Sequence, residues 1–111
     1  MRVAISTDGE MVAQHFGHCP SYTIAEIADG AVQRRELIAN PGHEPGFLPG
    51  YLAERGVECI VAGGMGQRAQ MLFDQHGVAV IMGVSGPIDD TLQALARGDL
   101  KGGESTCDHC G

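Results

Sequence analysis

His15-Phe16-Gly17-His18-Cys19 puts two imidazoles and a thiol within five residues, in a chain with only five histidines and four cysteines. Imidazole nitrogen and thiolate sulfur are ligands for zinc, copper and iron-sulfur species. The segment therefore reads as a metal-binding loop. The competing reading is a structural loop in which Phe16 plugs the core and both histidines are solvated.

Cys107-Asp108-His109-Cys110 is a second ligand-bearing segment. Its C-x-x-C spacing can chelate one metal, but a single pair supplies only half of a tetrahedral shell. A redox dithiol is the rival, weakened because such pairs usually sit at a helix N-terminus that lowers the thiol pKa, and this one follows a polar stretch. His43, in the loop Asn40-Pro41-Gly42-His43-Glu44-Pro45-Gly46, is a further candidate. Cys59 lies in an apolar run and reads as core packing. Gly64-Met65-Gly66-Gln67-Arg68-Ala69 matches G-x-G-x-x-A, yet no acidic residue ends the next strand to hold a ribose. Gly63, Gly64, Met65 and Gly66 then read as a close turn whose backbone N–H groups attract an anion.

These groups need a scaffold. Val3 to Thr7 reads as a buried strand, Tyr22 to Ile27 and Val32 to Ile38 as a hairpin joined at Asp29-Gly30, and Cys59 to Ala62 and Val78 to Met82 as two further strands. Helical spacing marks three helices. Leu48, Tyr51 and Leu52 belong to one that Gly56 stops; Ala69, Leu72, Phe73 and His76 share a face of one capped by Gly77; Ile88, Leu92, Leu95 and Ala96 face inward on one ended by Gly98. Residues 1–99 form one α/β domain on this reading, and 100–111 a flexible Cys/His-bearing tail. If every strand but the second runs parallel, the C-terminal edge of the sheet collects the His15 to Cys19 loop, the His43 loop, Met65 and Gly83 to Ser85. Ligands favour that edge in open sheets.

Composition narrows the function. A chain of 111 residues, 43% hydrophobic, is one domain with one ordinary core. Its net charge of -7 repels phosphate and anionic lipid, so nucleic acid and membrane surfaces are excluded as partners. Met1-Arg2-Val3-Ala4-Ile5 reads as a strand rather than a signal peptide, and four cysteines without a disulfide pattern fit a cytoplasmic location.

Arg2 to Gly9, the His15-Phe16-Gly17 triplet, Asn40-Pro41, Gly56-Val57, Ala62-Gly63-Gly64-Met65-Gly66 with Arg68-Ala69, and the tail cysteines together resemble the dinitrogenase iron-molybdenum cofactor biosynthesis family. The family includes NifX-like proteins, the C-terminal domain of NifB and the orange-protein relatives. The resemblance implies a ribonuclease H-like fold: a five-stranded mixed sheet in the order third-second-first-fourth-fifth, the second strand antiparallel, covered by about three helices. It also implies carriage of an iron-sulfur or molybdenum-containing (Fe-Mo or Mo-Cu) sulfide cluster rather than catalysis, with cluster-donating or cluster-accepting proteins as partners. The chain itself would be a monomer or weak dimer. A nuclease reading fails because Asp8 and Glu26 are isolated and Asp89-Asp90 suit a helix start.

The expected metal ligands are His15, His18 and Cys19, then His43, Cys107, His109 and Cys110. Cys19 is expected on a solvent-facing loop, so that its loss would spare the fold. Three rivals stay open: a zinc or copper module using the same ligands, an enzyme with Cys19 as nucleophile and His18 or His15 as base, and a regulatory domain without cargo.

Overall fold

The computed structural model describes residues 1–41 and 47–98, together with the backbone of Glu104–Ser105. The chain runs β1 (Arg2–Asp8), β2 (Met11–Val12), β3 (Ser21–Ala28), β4 (Ala31–Ala39), α1 (Phe47–Glu54), β5 (Cys59–Val61), α2 (Gln67–Gln75), β6 (Ala79–Met82), α3 (Ile88–Arg97) and β7 (Glu104–Ser105). Strands line up as β4-β3-β1-β5-β6-β7, and β2 pairs with β1. β3 is antiparallel to both neighbours, whereas β1, β5 and β6 are mutually parallel. The five expected strands thus occupy their expected order.

The sheet is nevertheless larger than the five strands expected. Gly9, at φ +65, turns the chain back so that Thr7 and Asp8 pair with Val12 and Met11, forming a small hairpin where only a strand end was expected. At the far edge Glu104–Ser105 pairs antiparallel with β6, Met82 opposite Glu104. Backbone pairing needs no large side chain, which is why a polar stretch read as a flexible tail supplies a strand here.

Alternation sorts the residues to two faces. Val3 and Ile5 of β1, Cys59 and Val61 of β5, and Ile81 of β6 pack beneath α3, against Ile88, Leu92 and Leu95. Ala4, Ile60, Val80 and Met82 point the other way, into a layer built with Leu48 and Leu52 of α1 and Phe73 of α2. Cys59 is fully buried, as expected of a packing residue. Asp29 (φ 55) and Gly30 (φ 74) both take positive φ, the geometry of a type I′ hairpin turn. His76, which follows the spacing of Ala69, Leu72 and Phe73 and reads as helix surface or partial core, is the C-cap of α2 and lies exposed on the surface.

Candidate functional site

Phe16 anchors the histidine loop. Its ring meets Phe73 edge-on at 5.2 Å and lies 5.7 Å from Tyr22, so the loop is pinned to the α2 face of the sheet. With Phe16 held inward, His15 and His18 on either side of it remain exposed. Gly17, at φ 92, makes the tight bend between them, and the His18 amide donates to the His15 carbonyl at 3.4 Å.

Backbone hydrogen bonds fasten this loop to the two loops beside it. Phe16 N–H donates to Gly64 O at 2.8 Å, and Gly63 N–H donates to Ala13 O at 3.1 Å. Gly83 N–H reaches Gly63 O at 2.9 Å, while Val12 N–H reaches Gly86 O at 2.8 Å. The loops after β2, β5 and β6 therefore form one continuous seam at the C-terminal edge of the sheet.

The glycine pair has a steric reason. A Cβ on Gly63 would lie 2.9 Å from both Cα and O of Gln14, and one on Gly64 would lie 3.2 Å from Gln14 O. Both permit the backbones to approach closely. Met65 is partly buried against the apolar layer, its carbonyl receiving a hydrogen bond from Gln70 Nε2 at 3.0 Å. Gly66 is exposed and N-caps α2 with no side-chain cap, which leaves the positive end of that helix toward the same edge.

Beside the seam lies an open groove of about 660 Å³ that His15, His18, Asp8, Gln14, Met11 and Ser85 help to line. Ser85 belongs to the segment expected at this edge, and Asp8 and Gln14 are additions. The signal for Asp8 was available, since it closes the first strand, where ligands collect. Among the described residues no three His, Cys, Asp or Glu side chains come together to hold one metal ion.

Cys19 is not on the groove. Its residue is only 5% exposed and belongs to the apolar layer with Tyr22 and Ile24, against the expectation of a solvent-facing thiol. Local geometry explains this: Asn40 Nδ2 donates to the carbonyls of Cys19 (2.9 Å) and Gly17 (3.3 Å), drawing the end of the loop onto β4. The Tyr22 hydroxyl is buried without a well-formed hydrogen bond. Burial, and then the neighbouring Cys19, push its phenol above the ordinary range, with the Gly17 backbone acting in the opposite sense. His43, Cys107, His109 and Cys110 lie outside the described residues.

The fold and groove define a small single-sheet α/β protein with a histidine-lined groove at the C-terminal strand edge. Over residues 1–98 the chain matches the dinitrogenase iron-molybdenum cofactor family, and it belongs to that family. It is 29% identical over 106 residues to MJ0580 of Methanocaldococcus jannaschii, covering 91% of this chain and 90% of that one. The crystal structure of PH0822 superposes with a TM-score of 0.84 at 33% identity, covering 91% of this chain and 95% of that chain. The apo form of the orange protein from Desulfovibrio gigas superposes at 0.77 with 17% identity, covering 94% and 93%, a likeness of fold. Membership places the chain in a cofactor-related role. Among the described residues no helix is long and apolar enough to cross a membrane.

Proposed function

We propose that this protein is a non-catalytic carrier or scaffold for an iron-sulfur or molybdenum-containing sulfide cluster during cofactor assembly in the cytoplasm, receiving it from one protein and passing it to another. The observation that carries the reading is the exposed pair His15 and His18 on one groove, held by a rigid three-loop seam in a member of this family. Two imidazoles are too few to enclose a metal, and a carrier needs such an incomplete set. The cluster's own sulfides complete the coordination of its metals, and release requires breaking few protein bonds. Sulfides also accept hydrogen bonds, which suits a site flanked by the positive end of α2. The strand order supports a ribonuclease H-like description of the fold.

Burial of Cys19 turns the reading away from a cysteine nucleophile, because a thiol packed among apolar side chains is inert. Anaerobic reconstitution with iron and sulfide, and separately with thiomolybdate and copper, tests the proposal. Bound metal with stoichiometric sulfide and broad visible absorption is expected. Uptake of zinc alone, without sulfide or colour, would replace the carrier with a simple metal-binding module.

A further inference from the structure

β4 is an edge strand nine residues long, and most of its side chains are exposed, Leu37 at 64%. Which backbone groups it presents outward follows from the hydrogen bonds around it. Met1 and Ile27 exchange both bonds, so the odd-numbered residues of β3 face β1. Its even-numbered residues then face β4, as the bond from Asn40 N–H to Pro20 O confirms. Their partners in register are Arg34, Glu36 and Ile38, which spend their amides inside the sheet. Arg35 and Leu37 therefore turn N–H and C=O away from it.

We infer that this edge pairs with β4 of a second copy of the chain, antiparallel and centred on Arg35. The two-fold axis sets Arg34 of each copy opposite Glu36 of the other, twice, at the positions where side chains approach most closely. The outward amides allow registers spaced by two residues, and both neighbouring registers are self-repelling: one sets Glu36 against Glu36, the other Arg34 against Arg34. Charge thus favours the Arg35-centred register over both of its neighbours. The central pair, Arg35 opposite Arg35, does not oppose it, because each guanidinium is drawn back onto its own α3 by the ion pair with Asp89. The β-bulge leaves Gln33 as the extra residue between Val32 and Arg34, so around an axis at Arg35 regular pairing is limited to Arg34 through Glu36, with Leu37 opposite the bulge. So short a contact makes the dimer reversible and concentration-dependent.

Sedimentation equilibrium from micromolar to millimolar protein tests the interface, with melting temperature recorded for every variant. Glu36→Arg, which faces Ile24 within its own sheet, should raise the dimer dissociation constant at least about tenfold by setting arginines against arginines. Adding Arg34→Glu restores the opposite-charge pairs and should recover the wild-type constant to within about threefold. Amide spectra of the wild-type protein supply a check free of substitutions: the Arg35 and Leu37 N–H signals should shift with concentration. A wild-type chain monomeric at millimolar concentration, unshifted Arg35 and Leu37 amides, or a folded charge-swap variant that stays monomeric would each overturn the interface.

Discussion

The Phe16 amide donates to the Gly64 carbonyl over 2.8 Å, and through this bond the histidine loop and the glycine loop become one piece of backbone. The groove lined by His15 and His18 is consequently held in place by β5 and its following turn, not only by its own segment. Disturbing the glycine turn therefore disturbs the groove.

Gly63→Ala is expected to destabilise the protein by about 1–3 kcal/mol, because the new methyl meets backbone atoms that cannot swing aside. Gly66→Ala meets nothing within 4 Å, and its N-cap position sits at φ -64, so it should cost well under that. Urea denaturation of the two variants makes the comparison. Equal losses would mean that close approach to Gln14 is not what Gly63 supplies.

Phe73 is fully buried and carries the ring against which Phe16 rests. Phe73→Ala should cost about 3–5 kcal/mol. It should also loosen the histidine loop, read as faster amide exchange at Phe16 and His18. An unchanged melting temperature would remove Phe73 from the core.

Tyr22 gives the protein an alkaline limit. Its folded-state pKa is raised by burial and by Cys19, so the stability it contributes is fully present below the unfolded tyrosine value of about 10 and is lost as the pH rises above it. Tyr22→Phe removes a buried hydroxyl lacking a well-formed hydrogen bond, so it should be close to neutral or stabilising at pH 7. It should also flatten the loss above pH about 10. Urea midpoints measured across that range decide it.

The two histidines can be separated from the thiol. His15→Ala with His18→Ala should abolish most metal uptake while leaving the melting temperature nearly unchanged, since both residues are exposed. Cys19→Ser, by contrast, buries a more polar group in an apolar layer and should lower the melting temperature. Uptake that survives the double histidine variant would move the site away from this groove.

Much of this molecule was legible before any coordinates. Alternating and continuous apolar runs located Val3 to Thr7, Cys59 to Ala62 and Val78 to Met82, because burial on two faces leaves little choice of residue. Asp29-Gly30 announced its hairpin because few residues tolerate positive φ twice in succession. His15 and His18 were identifiable by side-chain chemistry, and Cys59 by its neighbours in the strand. The sequence did not reveal the pairing of Met11–Val12 or of Glu104–Ser105. Such strands are defined by backbone hydrogen bonds to distant partners, and two residues carry no periodicity. Nor did it reveal that Gly63 and Gly64 are small because Gln14 lies against them, since that contact joins segments some fifty residues apart. Cys19 shows the division most clearly. One position from His18 in sequence, it lies on the opposite side of the loop, because Phe16, Asn40 and Tyr22 draw that end of the loop onto the sheet while the histidines face the groove. Residue type determined which groups could bind a metal, and tertiary packing decided which of them solvent can reach.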